Sequence, residues 1–210
     1  MVKIAIVCAN GRAGKLITNE AVSRGLDVTA IVRGENQTNA KQVISKDLFD
    51  LTKEDLKDFD VIIDAFGAWT EDALPLHVKS SQYLCDLVSG TDKRLLIVGG
   101  AGSLYVNPKH TIQVYQTPDF PEIYIPLAKA QADELTELRK RNDVKWTFLS
   151  PAADFQADGE RTGKYILNGE ELIPNSKGES IISYADYAVA MVDIAVQDKY
   201  IQQRISVVRE

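Results

Sequence analysis

The first apolar run of the chain, Val2 to Val7 (VKIAIV), is continuous rather than alternating, the pattern of a strand buried on both faces. Beyond a short turn, Ala13, Leu16, Ile17 and Ala21 recur at helical spacing, and Gly25 stands where such a helix would close. Val28 to Val32 supplies the next strand and completes a strand–helix–strand unit. Further strands are expected at Gln42 to Ser45, Val61 to Ala65, Leu95 to Val98 and Trp146 to Leu149. Helices are expected over Leu74 to Val88 and Pro126 to Arg141, the latter with Ala128, Ala132, Leu135 and Leu138 on its apolar face. Pro126 should hold Ile125 extended and leave Tyr124 outside that helix.

From Pro151 to Lys177 the periodicity gives way to polar loop with short extended pieces, among them Lys164 to Leu167. Ser183 followed by Asp186 is a capping-box signature for a helix carrying Ala185, Ala188, Val189, Val192 and Val196. Arg204 to Val208 reads as a final strand, and the chain shows no internal repeat. Strands alternating with helices predict an α/β protein, a doubly wound parallel sheet with a small C-terminal lobe beside the strand ends. One domain over residues 1–210 is expected, with residues 151–210 forming the acceptor side.

Composition narrows the classes. Apolar residues at 45% and charged residues at 26% are ordinary globular values. Thirty acidic against twenty-four basic residues give a net charge of -6, which disfavours nucleic acid and anionic membrane as partners. No apolar run reaches the ~18 residues of a membrane span, and no signal-peptide pattern opens the chain. Cys8 and Cys85 form no disulfide or metal-binding pattern and suit a reducing cytoplasm. The expected partner is a small-molecule acceptor, and the expected assembly a monomer or homodimer.

The chemistry begins in CANGRAG, Cys8 to Gly14, between the first strand and the first helix. In doubly wound folds a pyrophosphate meets the free N–H groups and positive dipole of a helix there. Gly11 and Gly14 keep the last two positions of a GxxGxxG spacing, while Cys8 takes the first. A tight turn without ligand would use the same glycines. Arg33 ends the second strand, where NAD-specific folds place a carboxylate, and an arginine there suits a 2′-phosphate. Glu35 lies near enough to serve a ribose, which keeps NAD possible beside NADP.

GRAG and AIVR, followed in order by DLFDL, VIIDAFG, IVGGAGSL, AKAQADEL and SPAADF, carry a resemblance over nearly the whole chain. The sequence resembles the atypical short-chain dehydrogenase/reductase group, in its NADH-flavin reductase branch, related to NmrA-like proteins and biliverdin reductase B. The resemblance implies an NAD(P)-binding Rossmann sheet in which Cys8, Asn10, Gly11, Arg12, Ala13 and Gly14 line the diphosphate. It implies Asp47 and Leu48 at the adenine edge, and Ala65, Phe66, Gly67 and Gly100 beside the adenosine and nicotinamide riboses. Pro151 and Ala152, with Ala153 and Phe155, would wall the nicotinamide and the acceptor. Asp47 serves equally well as a turn cap, and Phe66 as a core residue. Ser103 occupies the place of a catalytic serine, though a cap is its more ordinary use.

Carbonyl reductases of the wider superfamily carry a Tyr-x-x-x-Lys pair on one helix face. Here the nearest pair, Tyr124 and Lys129, is five apart, which on a helix leaves ~140° between them rather than ~40°. Without a positioned acid, an acceptor that delocalises the incoming charge is favoured over a simple ketone. FMN, FAD or a quinone-like compound fits, with Lys129 as a ribose or phosphate contact. The alternative is an NADP-sensing regulatory protein of NmrA-like type without turnover. His77 and His110 lack partners at ligand spacing and are read as surface or packing residues.

Overall fold

The computed structural model describes residues 2–210. The expected parallel sheet is present and its order sets the site. β1 (Lys3–Val7), β2 (Asp27–Val32), β3 (Gln42–Ser45), β4 (Val61–Asp64), β5 (Arg94–Val98) and β6 (Lys145–Ser150) all run parallel. With β7 (Asp154–Gln156), β8 (Tyr165–Asn168), β9 (Ile181–Ser183) and β10 (Gln203–Arg209), the main sheet has the order β3-β2-β1-β4-β5-β6-β10-β8. Only β8 is antiparallel, pairing Tyr165 with Arg209 and Asn168 with Ser206. β7 and β9 pair separately as a two-stranded parallel ribbon. The segment read as a lobe therefore contributes two strands to the main sheet as well.

Strands buried on both faces demand helices on both faces. On one face lie α1 (Arg12–Ser23) and α5 (Tyr184–Ala195), packed on each other and on Ile4, Ile6, Ile63 and Leu96. On the other lie α3 (Leu76–Val88) and α4 (Ile125–Leu138), over Ala5, Val7, Ile62, Leu95 and Ile97. A short helix, α2 (Lys53–Leu56), starts on a Thr52–Asp55 capping box. Gly25 closes α1 at φ +71°, the left-handed conformation that glycine adopts without steric cost. Among the described residues, no helix is long and apolar enough to cross a membrane.

Two expectations are corrected. Ile125 is helical (φ -57°, ψ -45°), not extended. The 3-10 turn Glu122–Tyr124 already winds the chain in the helical sense, and Pro126 sits in the first turn, where its missing N–H costs nothing. Tyr124 is still outside α4, as its N-cap. The second correction concerns α5. Ser183 accepts the Asp186 N–H at 2.9 Å, but Asp186 does not return the bond. Its carboxylate instead accepts from the Thr162 N–H, the Thr162 hydroxyl and the Gly163 N–H at 2.7–2.8 Å, tying the loop before β8 to the start of α5.

Candidate active site

In an open sheet of this order the strand sequence reverses between β1 and β4, and the loops leaving those strands part to form a crevice. The β1 loop is wound tightly. Cys8 has φ 58°, a left-handed conformation that costs an L-residue ~1–2 kcal/mol, and its carbonyl accepts the Gly11 N–H at 2.9 Å. A Cβ on Gly14 would stand 2.6 Å from the Cys8 carbonyl oxygen and 3.2 Å from the Ala65 Cβ. Glycine at this position is therefore what lets α1 approach both β1 and β4. No side chain caps α1, so the N–H groups of its first turn, from Arg12 to Gly14, remain available to an anion. The Cys8 thiol is pushed up to about 12, first by burial and then by the Asp64 charge, so it is an inert packing group.

Asn10 spends its side chain on the neighbouring loop. Its amide donates to the Glu35 carbonyl at 2.8 Å and accepts from the Gln37 N–H at 2.9 Å. This leaves the β2 edge to Arg33, whose guanidinium is largely exposed and 3.6 Å from Asp47. Asp47 caps the turn Leu48–Asp50 by accepting the Phe49 N–H, while Leu48 is buried in the core. Arg33 thus stands exposed at the β2 edge, with Asp47 as its ionic neighbour.

On the β4 side, Asp64 Oδ1 accepts the Phe66 N–H at 2.9 Å. His77 Nε2 lies 3.1 Å from the Ala68 carbonyl, and the imidazole meets the Phe66 ring edge-on at 5.5 Å. Its Nδ1 is 3.8 Å from Glu134 of α4. All three ionisable groups are buried: burial raises Asp64 to about 6, raises Glu134 well above the usual carboxylate range and lowers His77. The Asp64 charge adds to the rise of Glu134. Ala65–Ala68 is therefore pinned at both ends from beneath.

Beyond β5, Gly100 lies directly under the Gln131 amide, so α4 crosses the strand end where any Cβ would collide. Pro151 and Ala152 are buried at the end of β6. The Phe155 ring packs against Tyr184 and Tyr187, with centroids 3.8 and 4.9 Å away. A cleft of about 360 Å³ opens where the β1 loop faces this segment, lined by Arg12, Leu16, Ala157, Asp158 and Tyr184.

Residues 8–198 match the family described as NAD(P)H-binding. The chain belongs to the NAD(P)H-binding family. It is 43% identical to the uncharacterized protein YwnB of Bacillus subtilis, over 99% of both chains. Among solved structures it is 55% identical, with a TM-score of 0.97 over 100% of both chains, to SP1627 of Streptococcus pneumoniae, described as "a putative NADH-flavin reductase". A Burkholderia pseudomallei protein described as "putative exported protein" is 36% identical, with a TM-score of 0.87, over 99% of this chain and 100% of that one.

In this NAD(P)H-binding chain the crevice brings together Cys8, Gly11, Arg12, Ala13 and Gly14 with Ala65, Phe66 and Gly67, as the sequence suggested. The loop suits an anion through its uncapped first-turn amides and through Gly11 and Gly14, while Cys8 puts a side chain at the first glycine position. Ser103 is placed differently. It is 1% exposed, and its hydroxyl accepts from Arg204 of β10 at 3.2 Å. Arg204 also pairs with the half-buried Glu170, so Ser103 serves an ion pair that ties the loop after β5 to the sheet. Lys129 is exposed on α4, and Tyr124 is half exposed just ahead of the helix. Tyr184 escaped the sequence reading. The signal was its pairing with Tyr187 at helical spacing, two aromatics opening a helix that follows a capping serine.

Proposed function

We propose that the protein is an NAD(P)H-dependent oxidoreductase that passes hydride to a flavin or a quinone-like acceptor without a Tyr-x-x-x-Lys pair. The observation that carries this reading is the uncapped first turn of α1 at the β1–β4 crevice, beside an α4 whose tyrosine lies outside the helix. A bound nicotinamide would supply the hydride, leaving oxidised while the acceptor is reduced and takes its proton from water. The chain's own work is binding and alignment. The first-turn amides of α1 would hold the diphosphate and Arg33 a 2′-phosphate, which favours NADPH over NADH. Phe155 and Tyr184 would border the acceptor with flat apolar surface, and Arg12 would face its anionic group. The description of the pneumococcal relative supports the same acceptor class.

The test is loss of nicotinamide absorbance when the pure protein meets NADPH and FMN. Tyr124→Phe is expected to keep kcat within a few-fold, whereas loss of a general acid costs roughly 10²–10⁴-fold. A hundredfold fall with unchanged cofactor affinity would restore Tyr124 as an acid and remove the argument for a conjugated acceptor. Arg33→Ala is expected to weaken NADPH about tenfold and leave NADH unchanged, since a charge-assisted phosphate contact is worth about 1.5–3 kcal/mol and this one is exposed. Equal losses for both cofactors would refute that role. The missing pair also fits an NADP sensor, and tight NADPH binding with no consumption on any flavin or quinone would favour it.

A further inference from the structure

The cleft beside the β1 loop holds a phenol that the fold leaves unused. Tyr184, the first residue of α5, is 9% exposed, and its ring packs on Phe155 with centroids 3.8 Å apart. Its hydroxyl has no hydrogen-bond partner among the described residues, and the positive charge of Arg12 reaches it. Tyr187, three residues on, donates its own hydroxyl to the Leu149 carbonyl at 2.8 Å. Packing alone would be served by phenylalanine, since an enclosed hydroxyl without a partner costs free energy. The cleft adds two more idle groups. Arg12 and Asp158 line it together with Tyr184, and among the described residues neither side chain has an ion-pair or hydrogen-bond partner. Leu16 and Ala157 complete the lining with apolar surface.

The walls of the cleft are held from outside. A Cβ on Gly159 would stand 2.7 Å from the Ser183 Cβ, so glycine there lets the Ala157–Asp158 wall come up to the start of α5. Arg161 pairs with Glu20 of α1 at 3.0 Å, and Thr162 and Gly163 are tied to Asp186 of α5. The cleft thus presents the guanidinium and the phenol as donors and the carboxylate as an acceptor. A quinone offers carbonyl oxygens alone and would leave the carboxylate unmatched. A phosphate would meet it as a like charge. An amide edge, with N–H beside C=O, satisfies all three groups. The pyrimidine ring of a flavin has such an edge, N3–H between two carbonyls, and so has the nicotinamide carboxamide. A cleft of about 360 Å³ is the size of a small-ligand site, more than a carboxamide needs. We propose that this cleft recognises the pyrimidine edge of a flavin, with Arg12 and Tyr184 donating to its carbonyls and Asp158 accepting its N3–H. The proposal rests on the acceptor reading of the cleft and narrows it from conjugated acceptors in general to flavins. The anionic group that Arg12 meets is then the ring itself, whose N1–C2 carbonyl region takes the negative charge on reduction.

The experiment follows flavin fluorescence while the protein is titrated with lumiflavin, the ring system without a phosphate chain, and with 3-methyllumiflavin, whose N3 carries no hydrogen. The unaltered protein should bind lumiflavin about tenfold more tightly than the 3-methyl derivative, the effect of one hydrogen bond to a charged group. Asp158→Ala should bring the two ligands within about twofold of each other. Tyr184→Phe, which keeps the ring on Phe155, should weaken both ligands about three- to tenfold and leave NADPH affinity unchanged. Equal binding of the two ligands by the unaltered protein, or discrimination that survives Asp158→Ala, would overturn the assignment. So would a Tyr184→Phe protein that binds lumiflavin as well as the unaltered one. Loss of NADPH affinity in both variants, with lumiflavin unaffected, would give the edge to the nicotinamide carboxamide and overturn the flavin assignment. The site and the reaction fail separately. Discriminating flavin binding without NADPH consumption removes the oxidoreductase reading alone, and NADPH consumption with FMN but no discrimination removes the flavin-edge site alone.

Discussion

Gly14→Ala should lower the melting temperature by about 2–12 °C and weaken NADPH binding at least tenfold. The added Cβ would lie 2.6 Å from the Cys8 carbonyl oxygen, 3.1 Å from the Ala9 Cα and 3.2 Å from the Ala65 Cβ. Two of these are backbone atoms of the tightly wound loop after β1 and the third is a Cβ, so no flexible side-chain end can swing aside. Overpacking of this kind costs about 1–3 kcal/mol, and each kcal/mol moves the midpoint of a protein this size by about 2–4 °C. The effect on binding follows from the escape route: α1 has to lift away from β1 and β4, carrying its first-turn amides off the diphosphate. Gly34→Ala is the control, since a Cβ there meets nothing within 4 Å. A Gly14→Ala protein with unchanged melting and unchanged NADPH affinity would show that the close helix–strand approach is dispensable.

The stability of the protein should depend on pH through Asp64, and Asp64→Asn should remove that dependence. In the unfolded chain the group titrates at its ordinary value of 3.8, and burial pushes it up to about 6 in the fold. Well below 3.8 both states are protonated and burial carries no charge penalty. As pH rises through 3.8 toward 6 the unfolded state ionises first, so the fold loses stability relative to it. Above 6 the loss levels off at about 3 kcal/mol. Glu134 shifts in the same sense and adds to the trend. The melting temperature of Asp64→Asn minus that of the unaltered protein should therefore grow by about 6–12 °C between pH 4 and pH 7.5. A difference independent of pH would show that Asp64 titrates normally in the folded protein.

What could be read from the sequence was what local spacing determines. Continuous apolar runs identified the parallel strands, and Gln42–Ser45 was delimited to the residue. The tight turn after β1 was legible because Gly11 and Gly14 act on Cys8 and Ala9, a few residues away. What escaped depends on partners far along the chain. Ser103 looks like a site serine until Arg204, 101 residues later, is found at its hydroxyl. Asp186 looks like half of a capping box until Thr162 and Gly163 claim its carboxylate. Asp64 in VIIDAFG gives no local hint of enclosure, because that comes from α3 and α4 closing over it. Ile125 was misjudged because the rule for residues before proline weakens where a turn has already begun to wind.

The insertion of β10 between β6 and β8 has a consequence for synthesis. β8 emerges from the ribosome well before β10, its one neighbour in the main sheet, and at about 5–20 residues per second the interval lasts a few seconds. During that interval β6 presents an open edge and β8 has nothing to join. The loop fixed by Asp186 and the aromatic wall of Phe155 and Tyr184 border the same unfinished side. The nascent chain can thus assemble the crevice between β1 and β4 while residues 151–210 are still incomplete. That open edge is a natural point for a chaperone to engage, and for unwanted strand pairing between neighbouring chains on a polysome.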